Sequence, residues 1–188
     1  MTDTLIVGVS GVRGIVGKDL TEEIVARWAM AFGRWAKIRK PLVVVGRDAR
    51  QSGPAFERAV TAGLVSVGCG VVNVGLVPTP TVQLAVEHHA AGGGIAITAS
   101  HNPIEWNALK FIGSDGIFLD GEDGRRVAEI AVQAGGQGMA EGGSVQTDSH
   151  AVERHLDGVL RLAAVDVPGI RKRRFAVALD AVRGAGAR

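Results

Sequence analysis

A hydroxyl, an imidazole, two carboxamides and an amine crowd into one short stretch, Ser100-His101-Asn102-Pro103-Ile104-Glu105-Trp106-Asn107-Ala108-Leu109-Lys110. Apolar runs flank its polar part, Ile95 to Ile97 before and Leu109 to Ile112 after, and both read as buried strands. A strand that ends in a serine on a turn can present a nucleophile or a phosphate carrier at a sheet edge. Pro103 fixes its own φ, lacks an N–H donor and biases Asn102 away from helix, so the loop is held in shape. Lys110 sits inside an apolar run. Ser100 beside His101 also raises hydrolase chemistry. That chemistry goes with a Gly-x-Ser-x-Gly elbow, and none surrounds Ser100.

Two further stretches carry cations suited to oxyanions. Ser10-Gly11-Val12-Arg13-Gly14 follows a short strand, Leu5 to Val9. Its glycines allow positive φ and close approach of a ligand to the backbone. Arg13 then reads either as a phosphate contact or as a solvated arginine on a surface turn. A Walker A loop is excluded, because Asp19 follows Lys18 where Ser or Thr is required. The second stretch is Gly46-Arg47-Asp48-Ala49-Arg50-Gln51-Ser52-Gly53, directly after the apolar run Leu42 to Val45. Ligands of open α/β sheets gather at the carboxyl ends of strands, so Arg47 and Arg50 are candidate phosphate binders. The other reading is an Arg–Asp pair that shapes the loop, and a mixture fits best, one arginine structural and one near the site.

These strings together resemble the α-D-phosphohexomutases, the family of phosphoglucomutase, phosphomannomutase and phosphoglucosamine mutase. The family's active-site loop reads Thr-Ala-Ser-His-Asn-Pro followed by Asn-x-x-Lys, matched by Thr98 to Pro103 and by Asn107 to Lys110. Ala108 stands where many members have glycine. Ser-Gly-x-Arg-Gly matches Ser10 to Gly14, Gly-Arg-Asp-x-Arg-x-Ser-Gly matches Gly46 to Gly53, and Gly-x-x-Pro-Thr-Pro matches Gly75 to Pro80. The resemblance implies that a phosphorylated Ser100 hands its phosphoryl group to a hexose phosphate. A hexose 1,6-bisphosphate intermediate then turns over and returns the other phosphoryl group to the serine. It implies Mg²⁺ on an oxygen of the Ser100 phosphate, Lys110 and Arg13 at the transferring group, and His101, Asn102 and Asn107 around the loop. It also implies a four-domain enzyme of which this is the first domain. The family's metal loop, sugar-selecting loop and phosphate clamp belong to later domains, and their motifs do not occur here. The chain therefore reads as truncated and inactive alone. The run Ser10 to Gly17 favours a phosphoglucosamine mutase of bacterial or archaeal type over phosphomannomutase or phosphoglucomutase. A non-catalytic sugar-phosphate-binding domain is the alternative from another class.

Composition is consistent with this. The 188 residues are 46% hydrophobic, enough for a sizeable core. A net charge of +2, mixed along the chain, and 4% aromatic content argue against a nucleic-acid partner. One cysteine, Cys69, excludes an intrachain disulfide and suits a reducing compartment, so the reading is cytoplasmic. No basic region opens a signal peptide. Residues 59–86 carry no Asp, Glu, Lys or Arg, but glycines and prolines interrupt them, so no membrane span is read there.

The elements that must position these groups alternate strand and helix. A helix capped by Thr21 buries Ile24, Trp28, Phe32 and Trp35. A second runs from Pro54 to Val67, then a strand from Val71 to Val74, then a helix with Thr79 as N-cap and Pro80 first inside, ending at His88 and His89 on the surface. Ile117 to Leu119 reads as a short strand, Asp120 opens a helix to about Ala134, residues 135–143 read as a mobile loop, and His150 to Leu162 is a last helix with His150 and His155 on the surface. The expected fold is α/β, a mixed, mostly parallel sheet flanked by helices. It fills a domain at residues 1–167. A linker and the first strand of a second domain, Phe175 to Leu179, occupy residues 168–188.

Overall fold

The structure is a computed structural model, and it describes residues 5–133 and 142–187. Seven strands form one sheet: β1 (Ile6–Gly8), β2 (Gly11–Ile15), β3 (Leu42–Arg47), β4 (Gly70–Leu76), β5 (Gly93–Ile97), β6 (Trp106–Gly113) and β7 (Val145–Thr147). Their order across the sheet is β1-β2-β6-β5-β3-β4-β7. β5, β3, β4 and β7 pair in parallel, whereas β1, β2, β6 and β5 pair antiparallel. The sheet is therefore mixed, and two of its three antiparallel pairs, β1–β2 and β5–β6, are hairpins. Val9-Ser10 closes the first, and the Ser100 loop closes the second.

Among the described residues there are six helices: α1 (Glu22–Ala36), α2 (Gly53–Ser66), α3 (Thr79–His88), α4 (Gly121–Gln133), α5 (Ala151–Leu160) and α6 (Val167–Arg173). Side chains alternate across each strand, so each sheet face collects its own core. Val43, Val45, Ile95, Ile97, Leu109 and Phe111 point to the face covered by α1, α2 and α4. Val44, Val72, Ala96 and Ile112 point to the face covered by α3 and α5. On the first face, Phe32 of α1 stacks on Phe111 with centroids 4.9 Å apart. Thr21 caps α1 as expected, its hydroxyl accepting from Ile24 N at 3.3 Å.

Several expectations change. The glycines of residues 11–14 do not make a loop open to a ligand; they lie in β2. Gly11, at φ 153°, runs so close to β6 that a Cβ there would meet Leu109 O at 2.1 Å. The space is taken by neighbouring backbone, and only glycine fits it. Pro78, not Thr79, caps α3. Its extended backbone (φ −68°, ψ 152°) turns the chain in, and its carbonyl takes Thr81 N at 2.9 Å. Ile117 to Leu119 forms only a single bridge, Phe118 to Ile112. β7 arises where no strand was expected, from three exposed residues added to the edge of β4. Phe175 to Leu179 forms no strand and lies exposed, since a strand needs a partner ladder and the described residues supply none there. The loop expected at 135–143 lies outside the described residues as far as Glu141. No described helix is long and apolar enough to cross a membrane.

Candidate functional site

Ser100 stands exposed at the end of β5, in a turn, with φ 54°. That left-handed conformation is uncommon for a residue with a Cβ and persists where its surroundings fix it. Here both flanking peptide groups are held. Ser100 N donates to Thr98 Oγ1 at 3.1 Å, and Thr98 Oγ1 donates to Asp48 Oδ2 at 2.7 Å. Ser100 O accepts from Arg50 at 2.9 Å. Asn102 closes the turn with its backbone and side-chain nitrogens, both on Ala99 O, at 3.0 and 2.7 Å.

A cleft of about 730 Å³ opens at the carboxyl ends of β3 and β5 and the amino end of α3. Arg47, Asp48, Arg50, Thr79, Ser100 and Asn102 line it, together with Val182 to Ala185. This is where parallel strands of an open sheet place ligands. Arg47 pairs with Glu57 at 2.6 Å and reaches Asp48 O at 3.2 Å, while remaining on the cleft wall. Arg50 is turned into the loop and lies 3.4 Å from Asp48 Oδ2.

Arg13 and Lys110 lie elsewhere on the sheet. Arg13 pairs with Ala108, and Lys110 pairs with both Gly11 and Ala96. Cross-strand partners share a face, so Arg13 and Lys110 project on one side, the side of Ala96. They border a hollow of about 190 Å³ over β1, β2 and β6. Lys110 Nζ sits 5.6 Å from the centre of the Phe118 ring. Asn107 faces the opposite way. It is fully buried, donates to Ser52 Oγ at 2.8 Å and accepts from Ala108 N at 2.8 Å, thereby tying β6 to the start of α2.

His101 is exposed, with Nδ1 at 3.4 Å from Ser100 Oγ, the long limit of a hydrogen bond. Among the described residues it has no carboxylate partner to orient it, so the base–orienter arrangement of a hydrolase is missing. No group of three or more His, Cys, Asp or Glu side chains converges among the described residues. The nearest carboxylate in the loop network, Asp48, is already engaged by Thr98 and Arg50. Asp48 is thus committed to protein partners, and no step is assigned to a metal ion.

Thr98 escaped the sequence reading as a loop-building residue, and Asp48 reads as one only through its pairing with arginine, not through its bond to Thr98. The signal for Thr98 was local: a threonine two residues before the serine can accept its N–H. The signal for Asp48 was not, because its partner lies fifty positions away.

The fold is an α/β/α sandwich, and the chain belongs to the phosphoglucomutase/phosphomannomutase family. The family model for phosphoglucomutase/phosphomannomutase, alpha/beta/alpha domain I, matches residues 4–137. The phosphoglucomutase/phosphomannomutase of Thermococcus kodakarensis is 39% identical over 184 residues, covering 95% of this chain and 40% of that protein. The phosphoglucosamine mutase of Leuconostoc mesenteroides is 35% identical, covering 95% of this chain and 40% of that protein. A crystal structure of a phosphoglucomutase/phosphomannomutase family protein from Burkholderia thailandensis superposes with a TM-score of 0.72 at 27% identity, covering 82% of this chain and 35% of that one. The chain thus spans about 40% of the length of the curated relatives it matches.

Proposed function

We propose that Ser100 carries a phosphoryl group in a hexose-phosphate mutase reaction. The observation that supports this best is the serine itself: exposed, held at φ 54° by bonds to both neighbouring peptide groups, and on the wall of a large cleft. In the forward half-reaction the Oγ–P bond of phospho-Ser100 breaks as a free hydroxyl oxygen of a hexose monophosphate bonds to phosphorus. That hydroxyl's proton ends on the freed Ser100 Oγ. The resulting hexose 1,6-bisphosphate turns over, and its other phosphoryl group returns to Ser100 Oγ. Arg13 and Lys110, which share a sheet face, are the candidates to meet phosphoryl oxygens, and Lys110 is the candidate for moving the proton. Arg47, on the cleft wall, is the candidate contact for the substrate's non-transferring phosphate. We favour glucosamine phosphate as substrate, ahead of mannose and glucose phosphates, and a cytoplasmic setting.

Ser100→Ala in the native protein is the test. The carrier reading expects loss of interconversion between hexose 1- and 6-phosphates, with the fold intact by circular dichroism. Retained turnover would exclude a serine carrier. Tight hexose-phosphate binding with no turnover in the wild type would instead support a binding domain.

A further inference from the structure

The guanidinium of Arg50 bonds to four backbone carbonyls of the Ser100 loop. Nη1 donates to Pro103 O at 2.8 Å and Trp106 O at 2.9 Å; Nη2 donates to Ser100 O at 2.9 Å and Asn102 O at 2.7 Å. The terminal nitrogens of an arginine carry four N–H donors, and all four are engaged. The remaining donor, Nε, is buried and faces Asp48 without an aligned hydrogen bond. No accessible donor is left for a ligand phosphate. The side chain is only 13% exposed.

Asp48 completes the device. Its Oδ1 accepts from Arg50 N at 3.0 Å, and its Oδ2 accepts from Thr98 Oγ1. One carboxylate therefore braces both anchors of Ser100, the arginine on its carbonyl and the threonine on its N–H. The loop's carbonyl oxygens converge on a cation, which leaves the serine side chain turned outward.

We infer that Arg50 is a positioning residue. It fixes the left-handed backbone of Ser100, and with it the direction of Oγ, through carbonyl capture rather than by binding phosphate. The inference rests on the proposed role of Ser100 as carrier. Lysine cannot replace this arginine, because an ammonium is a compact charge that cannot span four carbonyls in a plane.

The test uses the native protein with Arg50→Lys and, separately, Thr98→Val. It reads kcat, KM for a hexose monophosphate, phosphate occupancy of Ser100 by mass spectrometry, and melting temperature. Positioning predicts that kcat falls about 100-fold in Arg50→Lys, the cost of a nucleophile displaced by about an ångström, with KM unchanged. Thr98→Val lowers kcat in the same sense. A raised KM with kcat largely kept in Arg50→Lys would show a phosphate-binding arginine and overturn the inference. If Arg50→Lys does not fold, Thr98→Val decides alone: wild-type kcat in a folded Thr98→Val protein overturns it. A wild-type protein with bare Ser100, and full turnover in Ser100→Ala, would instead overturn the carrier reading and the inference with it.

Discussion

Ser100 is accessible because its backbone, not its side chain, is tied down. The hydroxyl proposed to carry the phosphoryl group is left without a strong structural bond, and the constraint lies on the flanking peptides. The opposite holds for Asp148, between β7 and α5. Burial pushes its carboxyl up, but hydrogen bonds from His89, Arg154 and His150 N outweigh this and hold it down at about 2, from an ordinary 3.8. A carboxylate depressed in the folded state stabilises the fold above its unfolded value and loses that effect as pH falls through the folded one. Asp148 should therefore contribute about 2 kcal/mol at neutral pH, lost between about pH 4 and pH 2. Urea midpoints measured across that range should fall for the wild type and flatten for Asp148→Asn. An unchanged profile would remove the assignment. Neither His89 nor His155 could be placed from sequence. His89 reads as the exposed end of a helix, yet it meets Asp148 at 2.8 Å; His155 reads as surface, yet it bonds buried Thr81 at 2.8 Å. Both partners are distant in sequence, and periodicity says nothing of such pairs.

At the scale of elements, continuous apolar runs were readable and edges were not. β3, β4, β5 and β6 announce themselves through apolar runs rich in Val, Ile and Leu, because both of their faces are largely buried. β7 does not, because Val145, Gln146 and Thr147 are all exposed and owe their strand form to the neighbouring ladder. β2 was hidden by its glycines. Those residues suggest ligand contact in sequence, but in the fold Gly11 lets two strands meet. Gly11→Ala should cost about 3 kcal/mol, in the upper range of single substitutions, through overlap with Leu109 O and an unfavourable φ. Thermal unfolding would show it, and a melting temperature equal to wild type would contradict this account of β2. The Ser100 loop was readable as a rigid turn from Pro103 alone, but the agent of its rigidity lies in another loop, on Arg50.

At the scale of the molecule, the fold gathers the serine, its loop and several cations but no cluster of metal-binding side chains among the described residues. The chain spans about 40% of the length of the curated relatives it matches. The 188-residue chain purified by itself should show little or no interconversion of hexose phosphates in a coupled assay. Robust turnover would mean that these residues suffice. The central claim, that Ser100 is the phosphoryl carrier, is tested most directly by mass spectrometry of the protein isolated from its own cells, with fragmentation around Ser100. The account predicts a phosphoryl group on Ser100 and on no other residue of the loop. A bare Ser100 in protein that turns over hexose phosphate would contradict it.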